Sequence, residues 1–256
     1  MTGDRRTGIV AGFSRQAAAF ARSPFQRNPE RLRRLIEWAA PQPGETALDI
    51  ACGPGFVGAA IAGCGAFSVG IDLTEAMLRE GARDARTAGA RRTLVRGAAE
   101  RLPFGDRVFD LVICRNAFHH FPDPALVMGE AARVLRQGGR LIVEDMQAPE
   151  ELVDRDAFEM IERLRDATHA RTLPRSRFLR IMAEAGLRPA GEESIQWVVD
   201  FDEWIDRAGP EPAARARARW LLESDAGGTR SGRRVWRDGE RLMFERPSLL
   251  LRGVRP

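Results

Sequence analysis

The strongest constraint on this chain is the string Ala47-Leu-Asp-Ile-Ala-Cys-Gly-Pro-Gly-Phe-Val-Gly58, followed shortly by Gly70-Ile-Asp72. It reads as an apolar strand carrying an acid, a glycine-rich turn, a helix of small residues, and a second strand ending in another acid. Glycines let backbone come close to a ligand, and a carboxylate at the tip of the second strand is placed to hold both hydroxyls of a ribose. The string therefore predicts a nucleoside site, without yet saying which nucleoside.

The spacing Gly53-x-Gly55-x-x-Gly58, with Asp72 downstream, also fits a dinucleotide fingerprint. In dinucleotide folds the turn presents a helix N-terminus to a pyrophosphate. Here Asp49 lies inside the strand, four residues before Gly53, and puts negative charge near that spot. A carboxylate is a poor neighbour for pyrophosphate and a good one for a cation. S-adenosylmethionine carries an ammonium and a sulfonium and no phosphate, so electrostatics favours it as the cofactor over NAD.

The following strings extend the pattern. Val69 to Leu78 is a strand running into a helix, and Gly97 to Phe104 is a turn. Phe109 to Cys114 is an apolar strand, closed by His119-His-Phe-Pro122. A helix with apolar Val127, Ala131, Val134 and Leu135 is expected to stop at Gly138-Gly139 as a C-cap, before a buried strand at Leu141-Ile-Val143. Together these five ordered motifs resemble the class I S-adenosylmethionine-dependent methyltransferases, particularly the branch that includes the ubiquinone and menaquinone biosynthesis methyltransferases. The resemblance covers residues 10 to 146 well and the remainder in outline.

The expected fold is α/β: a Rossmann-like, mostly parallel seven-stranded sheet with helices on both faces, an antiparallel final strand, N-terminal helices and a helical cap insertion. Residues 1–43 form a helical lid, 44–146 the cofactor-binding core, and 147–256 the rest of the same domain. Residues 13 to 40 are helical until Pro41 and Pro43. Helices follow at 151–168, 175–186 and 202–223, and Ser194 to Val199 reads as a strand. Residues 225–232 read as a mobile loop, and Leu242 to Leu251 as a last strand in which Pro247 suits an edge or a bulge. By the resemblance, residues 200–240 cap the substrate pocket.

The resemblance assigns roles one by one. Gly53 and Gly55 bring backbone against the methionine part of the cofactor. Asp49 holds its ammonium indirectly or fixes the glycine loop, and Asp72 binds the ribose. Leu73 and Met77 line the adenine and helix-packing side, the Ala99 N–H reaches the ring, and the backbone of Arg115 and Asn116 borders the cofactor. Two positions depart from the family. Ala98 stands where an aspartate usually accepts from the adenine amine, with Glu100 as a partial substitute. Ala51 replaces the commonest first glycine.

His119 and His120 follow the fourth strand, at the carboxyl ends where open α/β sheets bind ligands. A neutral imidazole there takes a proton as the methyl group moves, an effect of ~10²–10⁴-fold. The plainer reading is packing against the cofactor or capping the loop at Pro122. His120 is favoured slightly as the catalytic residue; His169 is isolated but falls near the cap.

Composition narrows the class. With 256 residues, one domain with an insertion is expected. No apolar run approaches the ~20 residues of a membrane span, and the Arg-containing N-terminus lacks a signal-peptide core. Cys52, Cys64 and Cys114 have no metal-ligand spacing and fit a reducing cytoplasm. All 40 basic residues are arginine, yet net charge is only +4, weak grounds for a nucleic-acid partner. Arg215, Arg217 and Arg219 read as a solvated face. The expected reaction is methyl transfer to O, C or N of a small, fairly apolar metabolite, with a homodimer as an option. Three rivals stand beside it: a fold relative catalysing cyclisation or decarboxylation, a non-catalytic binding protein, and a dinucleotide oxidoreductase.

Overall fold

The computed structural model describes residues 3–88, 91–225 and 232–256. Its centre is the strand β1 (Thr46–Ile50), whose Asp49 pairs in register with Gly70 of β2 (Phe67–Asp72) on one side and Ile113 of β4 (Phe109–Arg115) on the other. Helix α4 (Phe56–Gly63) connects β1 to β2, and α5 (Glu75–Ala88) connects β2 to β3 (Arg92–Arg96) at the sheet edge. The chain then returns to β4 on the far side of β1. All four contacts from β3 across to β5 (Leu135–Met146) are parallel. The reversal of direction lies between β1 and β4, and in open α/β sheets a ligand crevice opens at the carboxyl ends of such a pair.

Beyond β5 the sheet becomes antiparallel. The long β8 (Arg241–Val254) inserts between β5 and β6 (Arg188–Asp200). A short β7 (Val235–Asp238) pairs with β8 as well, so the path of seven strands carries an eighth. Neither β3 nor β7 was legible in the sequence. The β3 segment Arg-Thr-Leu-Val-Arg is half-buried at the edge, and its flanking arginines hide the apolar signal of a parallel strand.

Helices cover both faces. On one, α6 (Pro124–Val134) and α8 (Arg175–Glu184) bury Val127, Ala131, Phe178, Ile181 and Met182 against β4, β5 and β8. On the other, α3 (Pro29–Ala39) and α4 bury Leu35, Ala39, Val57 and Ile61 against Leu111, Ile113 and Leu250. A third cluster joins α7 (Leu152–Arg165), α9 (Phe201–Asp206) and α10 (Pro212–Ser224) to Phe244 of β8. The N-terminal α1 (Gly3–Arg22) lies along α5, and the four-residue α2 (Pro24–Arg27) links it to α3.

Several expected boundaries move. Leu135 is already extended (φ −69°, ψ 140°), so α6 ends at Val134 and runs straight into β5. The glycines lie in a β-bulge instead of a C-cap: pairing shifts from Phe109↔Leu135 to Leu111↔Arg140, and Gly138 sits at φ +75°. Pro247 lies in an interior strand. Its carbonyl accepts the Gln147 N–H, so its missing N–H also faces the side where β5 has just ended. The reciprocal bond that the proline cannot make falls just past Met146, where β5 ends, so the ladder within β5 is intact. The expected helix over 202–223 breaks at Gly209 (φ +61°) and Pro210, and restarts with Pro212 in its first turn. Of the loop expected at 225–232, residues 226–231 lie outside the described residues.

Candidate functional site

The carboxyl ends of β1, β2 and β4 surround a partly open cavity of about 980 Å³ when the solvent at its mouth is included. It is roofed by Ile9, Phe13 and Phe20 of α1 and Gln26 of α2. Of the residues singled out in the sequence, Asp49, Ala51, Gly53, Asp72, Leu73, Met77, Ala98, Ala99, Arg115 and His120 line it. Gly55 and His119 do not.

The glycine turn is built from left-handed backbone. Ala51, Gly53 and Gly55 have φ of 54°, 53° and 75°. Ala51 holds that conformation without being glycine, which costs about 1–2 kcal/mol. Substitution of the first glycine is therefore a strain, and not the minor change it looks like in the sequence. Gly55 turns the chain into α4, away from the cavity. A Cβ there would come within 2.7 Å of the Arg92 guanidinium, which bonds the Gly55 carbonyl and, at 2.7 Å, the Gly81 carbonyl. Gly55 thus serves the clamp from β3.

Asp72 fastens the turn from the other side. One carboxylate oxygen accepts the Gly53 N–H and the other the Thr74 N–H, both at 2.8 Å. Each oxygen keeps a lone pair for a further donor, so the same acid both shapes the turn and offers two acceptors to a ribose. Burial raises its pKa, and the backbone N–H groups of Thr74 and Gly53 oppose that rise.

Asp49 and Arg115 face each other across the base of the cavity. Asp49 is sealed from solvent, and its Oδ2 has no hydrogen-bond donor among the described residues. Burial pushes its carboxyl up to about 7; Asp72 adds to the rise, while Arg115 and the Gly58 N–H oppose it. Arg115 donates Nη1 to the Gln26 carbonyl at 3.2 Å and approaches Glu144 at 3.3 Å, leaving Nη2 buried without an acceptor. Next to it, Asn116 adopts φ 52°, and both of its side-chain polar atoms are buried and unpartnered. Unpaired buried polar groups cost about 1–3 kcal/mol each. Four such atoms around one cavity point to a polar, zwitterionic ligand group that satisfies them.

After β3, Ala98 opens a tight turn closed by the Arg101 N–H on its carbonyl. Glu100 also lines the cavity, which puts a carboxylate two residues from the position where the family carries its aspartate.

The two histidines separate. His119 turns away from the cavity: Nδ1 is 2.5 Å from Asp145, and its carbonyl accepts the Ala170 and Arg171 N–H groups. Its ring lies between those of His120 and His169, with centroids at 4.1 and 5.7 Å. His119 therefore holds the turn together, contrary to the catalytic role expected for it. His169 is not isolated either, since Nε2 meets Glu159 at 2.8 Å.

His120 reaches the cavity, edge-on to Phe13 at 4.8 Å. Its Nδ1 lies 3.1 Å from the Thr168 hydroxyl and 3.3 Å from the Thr168 carbonyl. The hydroxyl already donates to Asp166 at 2.6 Å, so both Thr168 oxygens act as acceptors and Nδ1 carries the proton. Burial, with His119 beside it, pushes the imidazole down to about 3. Nε2 is thus left as an unprotonated acceptor.

Comparison with known proteins agrees with this geometry. A methyltransferase-domain family model matches residues 48–143. An uncharacterized methyltransferase of Bacillus subtilis, YcgJ, is 31% identical over 206 residues, 80% of this chain and 81% of that protein. The chain belongs to the class I S-adenosylmethionine-dependent methyltransferases. The crystal structure of YcgJ superposes with a TM-score of 0.82 at 28% identity, covering 88% of this chain and 97% of that one. A putative methyltransferase of Bacillus halodurans, BH2331, does so equally at 31% identity, with 88% and 98% covered. The ubiquinone/menaquinone biosynthesis C-methyltransferase UbiE of Roseobacter denitrificans is 37% identical over 143 residues; the match spans 52% of this chain and 57% of that relative.

The roof of this methyltransferase escaped the sequence reading. Ile9, Phe13 and Phe20 look like an ordinary helix stripe, and only the packing of α1 beside α5 brings them over the cavity. Among the described residues, none of those lining the cavity comes from 200–240, the segment expected to cap it; α10 packs on α7.

A pH dependence follows from Asp49. Its proton must leave before the carboxylate attracts an ammonium, and the carboxyl titrates at about 7. Affinity for S-adenosylhomocysteine should therefore fall about tenfold per pH unit below 7 and level off above it. Calorimetric titration from pH 5 to 9 measures this, and Asp49→Asn should flatten the curve.

Proposed function

We propose that this methyltransferase moves the methyl group of S-adenosylmethionine to an O, N or C atom of a small, fairly apolar metabolite bound beside His120. One observation carries the reading. The unpartnered Asp49 Oδ2, Arg115 Nη2 and Asn116 amide stand in the same cavity as Asp72, whose oxygens have lone pairs to spare. An acid and a guanidinium match the ammonium and carboxylate of the methionine part, and Asp72 matches a ribose diol. On the cavity side the glycine turn is flanked by two carboxylates, Asp49 and Asp72, while the Arg92 guanidinium is taken up by the Gly55 and Gly81 carbonyls, which disfavours a pyrophosphate there and with it the dinucleotide reading.

Beside the polar Gln26, Thr74 and Glu100, the cavity is lined by the apolar Ile9, Phe13, Phe20, Phe56, Met77 and Phe121. That supports an apolar acceptor and exclusion of water. The cofactor supplies an already activated methyl group, so the chain's task is alignment. Holding reactants at ~3–3.5 Å in line contributes ~7–11 kcal/mol of the barrier. His120 Nε2 accepts a hydrogen bond from the acceptor's O–H, N–H or acidic C–H, orienting the lone pair. Because the imidazole titrates only at about 3, it stays neutral throughout the physiological range and is a weak base. The non-methylating alternative, cyclisation or decarboxylation, has no feature of the cavity in its favour.

The test is transfer of labelled methyl groups into a cell extract, with calorimetry of S-adenosylhomocysteine and NAD alongside. Label transfer with no measurable NAD binding supports the reading; tight cofactor binding without transfer would sink it. His120→Phe should lower transfer by about 10²-fold with cofactor affinity unchanged. With the cofactor saturating at every pH, so that the Asp49 titration at about 7 does not enter, the wild-type rate should show no inflection at about 6.5, the ordinary histidine value.

A further inference from the structure

A group of arginines lies behind α2, outside the cofactor cavity. Three guanidinium carbons surround the Phe25 ring: Arg31 at 3.8 Å, Arg207 at 5.1 Å and Arg246 at 5.8 Å from its centroid. They come from α3, the end of α9 and β8, and all three side chains are more than nine-tenths buried. Their counter-charges are few. Arg31 meets Glu144 at 2.6 Å, an acid it shares with Arg115. Arg207 lies 3.6 Å from Glu203, which is nearly half exposed. Arg246 makes no hydrogen bond or ion pair among the described residues, and its Nε is sealed without an acceptor, as is that of Arg207. The nearest acids to Arg246 are already engaged, Glu162 by Arg233 and Asp145 by His119.

Arg31 also lies over the Trp197 ring, 4.6 Å from its centroid, so Arg246 is the least compensated of the three, with only the Phe25 ring against it. Burial pushes Arg31 and Arg207 down to about 9 and Arg246 to about 10. An unpaired buried charge is expensive, and replacement of such groups by apolar ones is often stabilising. An unpaired guanidinium buried among two others points to a ligand that pairs with them.

The partition between this cluster and the cofactor cavity is one residue thick. Gln26 lines the cavity, and Phe25 precedes it inside the cluster. The polar atoms that α2 turns toward the arginines are neutral. The Phe25 carbonyl accepts from Arg31 at 3.4 Å, the Gln26 carbonyl from Arg115 at 3.2 Å, and the Ser23 hydroxyl from Arg207 at 3.0 Å. These stand where an anion would form stronger, charge-assisted bonds.

We propose that Arg31, Arg207 and Arg246 form an oxyanion subsite, and that the methyl acceptor carries a carboxylate or phosphate group held there when α2 gives way. The inference rests on the methyltransferase reading and narrows its acceptor to an apolar body with an anionic end. Guanidinium forks suit both oxyanions, so the experiment uses one probe of each kind.

Calorimetry of the full chain saturated with S-adenosylhomocysteine is run with benzoate and with phenyl phosphate. At least one should bind, more weakly as salt rises; whichever binds names the group. Arg246→Met should weaken that binding by about tenfold or more, while affinity for S-adenosylhomocysteine stays within about twofold. The melting temperature of Arg246→Met should hold or rise, since it loses an unpaired buried cation. Arg207→Met repeats the test if the first variant does not fold. Binding of neither probe, unchanged probe affinity in the variants, or a lowered melting temperature of a folded Arg246→Met would each assign the cluster to the fold and overturn the subsite. Failure of wild type to bind S-adenosylhomocysteine would overturn the methyltransferase reading itself; failure of the probes alone would not.

Discussion

Asp72→Ala is expected to weaken S-adenosylhomocysteine binding by about 10²–10⁴-fold, the largest loss from any single change in the cavity. Two effects combine. A ribose diol loses two hydrogen bonds to a charged acceptor, each contributing ~1.5–3 kcal/mol. The Gly53 and Thr74 N–H groups, held at 2.8 Å by the two carboxylate oxygens, also lose their acceptors, so the glycine turn loosens before any ligand arrives. Asp72→Asn keeps one carbonyl acceptor and should lose less. Calorimetry of wild type and both variants is the measurement. A loss below about tenfold for Asp72→Ala would mean that the acid serves the turn alone.

Glu144→Ala should lower stability by about 3–5 kcal/mol, because it strands two buried guanidiniums. Glu144 is 2% exposed and is shared by Arg31 and Arg115, at 2.6 and 3.3 Å. Arg31 is itself 1% exposed. A chain of this size shifts its melting temperature by ~2–4 °C per kcal/mol, so a fall of about 10 °C is expected by thermal unfolding. Glu144→Gln keeps an acceptor and should fall in between. The acid sits on β5 and reaches α3 through Arg31, so its removal also frees the N-terminal segment that carries the roof. A shift under about 2 °C would show that the arginines find other partners.

The readability of the chain followed the range of the interactions involved. The glycine turn, Asp49, Asp72 and the strand–helix alternation were legible because each rests on local chemistry: backbone conformation, period, and the placement of an acid at a strand tip. Leu73, Met77, Ala98 and Ala99 came with them, since short connections after β2 and β3 leave little freedom. Gly55 misled because glycine serves two purposes. At φ 75° beside Arg92 it meets a packing need, with no contact to the cavity. The end of α6 misled for a similar reason, as a glycine pair fits a helix cap and a bulge equally well in sequence.

The histidine pair shows the limit most sharply. His119 and His120 are neighbours with the same chemistry, and nothing local separates them. Asp145 on β5 and Thr168 after α7 do so, by drawing one ring out of the cavity and fixing the proton on the other. Both partners are distant in sequence, and each became a partner only when the sheet closed.

By itself, then, the sequence determined an α/β methyltransferase core and the glycine turn and strand-tip acids that line its cavity. Those features are written in turns and strand tips spanning a few residues. Tertiary structure alone decided that α1 forms the roof, that His120 is the imidazole in the cavity, and that Arg31, Arg207 and Arg246 meet around Phe25. Charges scattered over more than two hundred residues carry no signal of convergence. Only packing, which removes them from water together, turns their repulsion into a reason to bind an anion.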